Sequence, residues 1–318
     1  MSTDLTEERI AEVLGVADFV QSCDEAFRLY GTGRMTNLPR SETLEQDGGQ
    51  EVFRLELSGD WPGVASSRKV IVERSDVAKG RLGDRTATIK LTMSNGQRVL
   101  LGAELITNRR TGAAAVLGVK YLAPQGTARM AVLGTGRVAQ SVVLAADAAL
   151  DLEEVVVTSR TESGRERFLE SVTPLVRTPL TAVNSVEAAV TDVEVVVTTV
   201  PTPDPILFES MLDPGTHLSV IAGDPRTVQL DRSILVSRPI VVDDHSQAMA
   251  SGDFIRYADH VNEVGFPTLD GAVATIGDAA NGRLEAYRGK GCVAYFTGMA
   301  IQDLHAAFMA AEAAGLGT

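Results

Sequence analysis

Met130-Ala-Val-Leu133 runs directly into Gly134-Thr-Gly136-Arg-Val-Ala139, and the apolar stretch Val142-Val-Leu-Ala-Ala146 follows. This order reads as a strand, a tight glycine turn and a helix, the fingerprint of a dinucleotide-binding crossover. Gly134 permits the turn and Gly136 lets backbone approach a pyrophosphate. Ala139 stands where helix and strand must pack closely. The free N–H groups and positive dipole end of such a helix hold phosphate. More than a hundred residues precede the motif, so a different structure is expected ahead of it.

The chain has 318 residues, 44% of them hydrophobic and 22% charged, enough for two domains with substantial cores. A formal net charge of -13 argues against nucleic acid or an anionic membrane as partner. The two cysteines, Cys23 and Cys292, support neither a disulfide framework nor a zinc site, and read as small buried hydrophobes. No metal site is expected. The charged N-terminus lacks an apolar signal region, and no stretch approaches the ~18 apolar residues of a membrane span. A cytoplasmic protein is expected.

Thr6 to Leu14 reads as a short helix. A second follows, with Val16, Phe19, Val20, Cys23, Ala26, Phe27 and Tyr30 on one face, ending at Gly31 and Gly33. Between Arg40 and Gly102 the pattern becomes strand-like: Glu51–Leu57, Lys69–Glu73, Ala87–Thr92 and Arg98–Leu101, with turns at Gly48-Gly49 and a two-residue hairpin turn at Asn95-Gly96. A mostly antiparallel sheet is expected there. Thr111 to Leu122 reads as a helix. Beyond the glycine turn, the unalternating runs Glu154–Thr158, Glu194–Val200, His217–Ala222 and Pro239–Asp243 suit strands covered on both faces. Helical stretches at Arg165–Val172 and Val186–Val190 lie among them. Phe296 to Ala314 reads as a long helix packing back on the N-terminal region. The fold class is α/β, a Rossmann-type parallel-sheet domain inserted after an α+β domain. The expected boundaries are 1–117 plus 297–318 for the α+β domain and 118–296 for the Rossmann domain.

The second strand of the dinucleotide domain ends in Ser159-Arg160-Thr161, where an NAD-specific site carries a carboxylate. A guanidinium there suits a 2′-phosphate, so NADP(H) is favoured and NAD(H) remains possible. The opposing reading makes Arg160 a solvated loop residue and gives the ribose to Glu162. Asp224 follows Leu218–Ile221, at the carboxyl end of the sheet where open α/β folds bind ligands, and Pro225 holds its backbone extended. The four histidines, His217, His245, His260 and His305, lack ligand spacing, and His217 and His305 read as structural.

Several ordered passages resemble the ornithine cyclodeaminase/mu-crystallin family over nearly the whole length. They are Leu38-Pro-Arg40, Leu105–Ala114 with Val119–Ala123, Ala128–Gly136, Pro214–Pro225, Val241–Asp244 and Phe296–Leu304. The resemblance implies a first domain that binds substrate and forms a homodimer. It implies that Arg40, Lys69 and Arg110 bind an amino-acid carboxylate, with Lys69 and Asp224 as the catalytic residues. It implies cofactor contacts from Thr111, from Gly134, Thr135, Gly136, Arg137, Val138 and Ala139, from Ser159, Arg160 and Thr161, and from Thr199, Val200, Pro201 and Asp224. A carboxylate held between guanidinium and ammonium groups is fixed in orientation.

The implied activity is NAD(P)-dependent oxidoreduction at the CH–NH or C=N bond of a small amino or imino acid, as in an imine reductase or an amino-acid dehydrogenase. One alternative is an ornithine- or lysine-type cyclodeaminase that recycles its NAD. The other is a non-catalytic NADPH-dependent binder of small ligands. Two departures from the family pattern bear on the substrate. Glu73–Arg81 lacks the Asn-Gly-type loop of cyclodeaminases. Pro225-Arg-Thr-Val-Gln229 replaces the usual Pro-Gly-Lys…Glu-Leu, on the substrate side.

Overall fold

The computed structural model describes residues 2–47, 50–76 and 81–316. The turn expected at Gly48-Gly49 and, from Glu73–Arg81, residues Val77–Gly80 lie outside the described residues. The chain divides into two compact units, Met1–Arg110 with Met299–Thr318, and Thr111–Gly298. The second is therefore inserted into the first, and the division falls at 110/111 and 298/299 beside the expected 117/118 and 296/297.

The first unit contains β1 (Ser2–Leu5), α1 (Glu7–Val13), α2 (Val16–Gly31), β2 (Thr36–Asn37), β3 (Ser41–Asp47), β4 (Gln50–Trp61), β5 (Ala65–Asp76), β6 (Arg81–Met93) and β7 (Arg98–Gly102). Its sheet has the order β1-β7-β6-β5-β4-β2, with β3 also on β4. Strand β1, which lacks an alternating pattern long enough to read from sequence, pairs parallel with β7; the other pairings are antiparallel. Period-two burial is clear: Ala87, Ile89, Leu91 and Met93 of β6 are buried, and so are Ala65, Ser67, Lys69 and Ile71 of β5. The β6–β7 turn differs from the expected two-residue form. Gly96 N–H donates to Met93 C=O at 2.9 Å with Gly96 at φ +83°, and Met93 N–H donates to Gln97 C=O, so three residues, Ser94 to Gly96, form the loop.

Helix α3 (Glu104–Leu122) begins seven residues before the expected Thr111. The reason is remote in sequence: both carboxylate oxygens of Glu7 accept from the N–H groups of Glu104 and Leu105, each at 2.8 Å. A side chain almost a hundred residues upstream satisfies the helix terminus.

The second unit continues with β8 (Arg129–Leu133), α4 (Arg137–Ala149), β9 (Glu154–Thr158), α5 (Glu162–Val172), β10 (Leu180–Val183), α6 (Val186–Val190), β11 (Val195–Thr198), β12 (His217–Ile221), α7 (Arg232–Ser237), β13 (Ile240–Val242), α8 (His245–Met249), α9 (Gly252–Arg256), the hairpin β14 (Thr268–Leu269) and β15 (Ala272–Val273), α10 (Ile276–Ala280) and β16 (Val293–Phe296). The sheet order is β10-β9-β8-β11-β12-β16-β13, every pairing parallel. The order reverses between β8 and β11, the switch point at which such folds bind ligands. Its core includes Ala131, Leu133, Val156, Val196, Leu218 and Val220, enclosed on both faces.

The chain then returns to the first unit as α11 (Ala300–Ala313). The expected helix from Phe296 is corrected here. Val293-Ala-Tyr-Phe296 is a strand between β12 and β13, and Gly298, at φ +86°, turns the chain before the helix starts. Ten residues of α11 are buried. Its alanines let strands come near, and a Cβ on Gly59 of β4 would lie 3.2 Å from the Ala300 carbonyl carbon.

Candidate functional site

At the switch point, Gly134 leaves β8 at φ +119°, a conformation L side chains rarely adopt. A Cβ there would lie 2.5 Å from Thr199 Oγ1, because Thr199 closes on the turn and its N–H donates to Leu133 C=O at 3.0 Å. Gly136 caps α4 with ordinary extended geometry and without a side-chain hydrogen bond to the helix terminus. Among the described residues, no atom beyond its chain neighbours lies within 4 Å of where its Cβ would stand. The missing side chain therefore leaves an open approach to the backbone at the N-terminus of a 13-residue helix. Ala139 is fully buried, in keeping with its packing role.

A cavity of about 580 Å³ opens over this turn. The expected residues Gly134, Thr135, Gly136, Arg137, Ser159, Arg160, Thr161, Thr199, Val200 and Pro201 all line it. Arg167 from α5 lines it too, and among the described residues no carboxylate does. Three arginines thus line one cavity in a chain of net charge -13. Glu162 lines a separate groove with Arg165 and Leu169. The open glycine backbone and the cationic lining fit a dinucleotide bearing phosphates.

Asp224 lies past the end of β12, on the same carboxyl edge of the sheet. Arg226 holds both of its oxygens, Nε to Oδ1 at 3.0 Å and Nη2 to Oδ2 at 2.7 Å. Gly223, at φ +106°, packs on Thr297, where a Cβ would come within 2.7 Å of the Thr297 carbonyl oxygen. The strand end at Thr297 is in turn clamped by buried Asp243. That carboxylate accepts from the N–H groups of Thr297 and Gly298 and from Thr297 Oγ1, each at 2.9 Å. Gln229, which the sequence placed on the substrate side, is buried instead. It accepts from Thr198 Oγ1 at 2.7 Å and donates to Ile221 C=O at 2.7 Å, joining β11 to β12. An exposed loop and a buried strand clamp look alike in sequence when both follow Asp-Pro.

The first unit brings Lys69 and Arg110 together around a residue the sequence reading passed over as chemistry. Lys69 Nζ donates to Asp303 Oδ2 at 2.5 Å, and Arg110 Nε donates to Asp303 Oδ1 at 3.1 Å. Arg110 Nη1 donates to Gln302 Oε1 at 3.1 Å. The Lys69 and Asp303 side chains are 1% exposed and Arg110 7%. Burial pushes the Lys69 ammonium down to about 8, the Asp303 charge opposing and the Arg110 charge adding to the shift. Arg40 is half-buried and pairs with Glu42 at 3.0 Å. One signal for this cluster was available: Lys69 occupies a core-facing register of an alternating strand, where an unpaired charge is costly.

Of the histidines, His217 is buried and pushed down to about 3, first by burial and then by Arg238. His305 is lowered to about 4 by burial, stacks on Trp61 and bonds Ser22 Oγ at 2.9 Å. Both are neutral at ordinary pH and lie within packed elements.

The profile of the ornithine cyclodeaminase/mu-crystallin family matches residues 3–316. The chain belongs to this family. Ketimine reductase mu-crystallin of Rattus norvegicus is 31% identical over 219 residues, which span 67% of this chain and 64% of that protein. Alanine dehydrogenase of Archaeoglobus fulgidus is 27% identical over 304 residues, 94% of this chain and 91% of that one. The structure of an archaeal alanine dehydrogenase dimer with bound NAD superposes with a TM-score of 0.83 at 26% identity, covering 100% and 98% of the two chains. The expected α/β class and the reading as an oxidoreductase of this family with a nicotinamide cofactor agree with these relatives. Among the described residues, no helix is long and apolar enough to cross a membrane.

Proposed function

We propose that this chain is an NAD(P)-dependent oxidoreductase of a small 2-imino or 2-amino acid, preferring NADP(H). The observation that carries the reading is the buried cation pair Lys69–Arg110, in a chain whose relatives include a ketimine reductase and an alanine dehydrogenase. When bound, the nicotinamide supplies or takes the hydride at the substrate's Cα. Gly134 to Ala139, Thr111, Thr199 to Pro201 and Asp224 are assigned to cofactor contacts. Ser159, Arg160 and Thr161 are assigned to the 2′-phosphate, which the cationic, carboxylate-free lining of the cavity supports.

Arg110 and Lys69, with Arg40, are assigned to the substrate carboxylate. A guanidinium and an ammonium together fix its direction, and so the face of the carbon–nitrogen bond that reacts. Asp224 exchanges the proton with the substrate nitrogen or with water. Lys69, at about 8, is the second ionisable catalytic group. A cytoplasmic homodimer is the setting we assign.

The test follows absorbance of NADPH and of NADH with cyclic 2-imino acids, and with 2-oxo acids plus ammonia. Oxidation of NADPH by either class supports the reading. Conversion of ornithine or lysine without net change in the cofactor replaces it with a cyclodeaminase. Tight ligand binding without turnover replaces it with a binding protein.

A further inference from the structure

The Lys69–Arg110 cluster has a feature that carboxylate binding alone does not explain. Three formal charges are sequestered there, two positive and one negative, on side chains at least nine-tenths buried. Asp303 spends one oxygen on each cation, Oδ2 on Lys69 and Oδ1 on Arg110. Gln302, its neighbour on α11, holds a further nitrogen of Arg110 and is itself anchored to Met299 N–H at 2.9 Å. Among the described residues, the charges that act most on Lys69 are Asp303 from α11, Arg110 from α3 and Arg85 from β6. Arg85 is balanced by Glu104 at 3.2 Å. Thr107 Oγ1 of α3, uncharged, lies 3.5 Å from Nζ. The three buried side chains themselves therefore sum to one positive charge.

We propose that Asp303 is a positioning residue for the substrate: its single carboxylate bridges Lys69 and Arg110, fixes their spacing, and leaves the cluster one positive charge that the substrate carboxylate completes. This rests on the functional reading given above, in which those two cations take that carboxylate.

An uncompensated buried charge is expensive, and a lysine can escape the cost by losing its proton, whereas an arginine cannot. Burial already brings Lys69 to about 8, with Asp303 the main force holding it up. Without Asp303 the ammonium gives way at lower pH, and half of the carboxylate grip goes with it. A second carboxylate arriving with the substrate acts in the opposite sense and restores the charged form. Asp303 thus keeps the cluster cationic, while remaining too buried to react itself.

The experiment measures KM and kcat of the full-length protein from pH 6 to 9.5, for wild type and Asp303→Asn, with the imino acid that the screen identifies. In wild type KM is level at low pH and climbs above pH 8. In Asp303→Asn the climb begins about one unit lower or more, so KM at pH 8 rises roughly tenfold and recovers near pH 6, with kcat less affected and the Kd of NADPH unchanged. A purely structural Asp303 would raise KM equally at every pH, or lower stability without moving the break, and either result overturns the proposal. Because Asp303→Asn can fail to fold, a second measurement uses wild type labelled with ¹³C at lysine Cε. One resonance, absent in Lys69→Gln, is expected to titrate near 8 and to move upward when L-alanine or L-proline is added. A Lys69 signal that titrates with the surface lysines overturns the proposal as well. Absence of any turnover by wild type defeats the functional reading instead, and the Lys69 titration then decides Asp303 alone.

Discussion

Arg226 chelates Asp224, with three donors on the two oxygens: Nε and the backbone N–H on Oδ1 at 3.0 and 2.8 Å, and Nη2 on Oδ2 at 2.7 Å. The family resemblance implies glycine where Arg226 stands. The Arg226 side chain is 79% exposed and Asp224 38%, and a pair this wet contributes about 0–1 kcal/mol. Arg226 is therefore removable without harm to the fold. Asp224→Asn is expected to lower kcat by about 10²–10⁴-fold, a far larger effect than its change in the Kd of NADPH. Arg226→Ala removes the guanidinium from both oxygens, leaves the backbone N–H on Oδ1, and is expected to keep kcat at or above wild type, with the denaturation midpoint nearly unmoved. If kcat falls in Arg226→Ala as far as in Asp224→Asn, the arginine is needed to aim the carboxylate and does not merely cover it.

Gly134 and Gly136 serve the same turn for different reasons, and substitution separates them. At Gly134 an alanine meets both positive φ and Thr199 Oγ1 at 2.5 Å. Gly134→Ala should lower stability and cofactor affinity together. At Gly136 the backbone is unstrained and the space is open. Gly136→Ala should leave the melting temperature within a degree or two of wild type, the small penalty usual for a surface change, while NADPH binding weakens at least tenfold. Calorimetric melts beside fluorescence titrations read the two separately; unweakened binding in Gly136→Ala would mean that phosphate does not lie over that backbone.

Much of this was legible in the sequence because it is local. The glycine turn, the valine-rich buried strands and the alternating strands of the first unit each carry their pattern within a dozen residues. What escaped is held by partners far away in the chain. Helix α3 starts at Glu104 because Glu7 caps it. Val293–Phe296 is a strand because β12 and β13 flank it, although its own run of apolar residues continues smoothly into a helix. Asp303 looked like part of a helical motif, and only its contact with Lys69, 234 residues earlier, gives it a chemical role. Gln229 misled for the converse reason, since Pro225 and Arg226 shortly before it are exposed while Gln229 itself is buried and joins β11 to β12.

Asp243 offers a pH dependence with a definite sign. Burial raises it to about 6 in spite of its hydrogen bonds with Thr297, Gly298 and Asp244. The unfolded chain releases this proton near ~4, so the folded state binds it more tightly between those values. From this group alone, stability is greatest below pH ~4 and declines as pH rises through 6. Asp243→Asn cannot ionise, and it gives up one acceptor oxygen at a cost of about 1–3 kcal/mol. The difference in unfolding free energy between wild type and variant should therefore shrink as pH rises from 4 to 6. Urea melts at half-unit intervals test it, and a difference that is constant across the range would place Asp243 at an ordinary value.

Both thiols should be inert in the folded protein. Burial pushes Cys23 up to about 12 and Cys292 to about 11, and the thiolate is the reactive form. An aromatic disulfide reagent at pH 8 should read no thiol before denaturant is added and two afterwards. A fast-reacting thiol in the native state would mean that one of these packed environments opens.

The proposed preference for NADP(H) is assigned to Arg160. It lines the cavity with Arg137 and Arg167, whereas Glu162, the carboxylate that could have taken a ribose hydroxyl, faces another groove. Hydrogen bonds between charged partners contribute about 1.5–3 kcal/mol, which corresponds to a loss of roughly 10- to 150-fold when one partner is removed. Arg160→Ala should weaken NADPH by that factor and NADH by less than threefold, and Arg167→Ala should act in the same direction more weakly. The two coenzymes differ only in the 2′-phosphate, so their ratio cancels any general damage to the site. Equal losses would place the Arg160 guanidinium on a group common to both, such as the pyrophosphate or adenine, and the preference for NADP(H) would have to come from elsewhere.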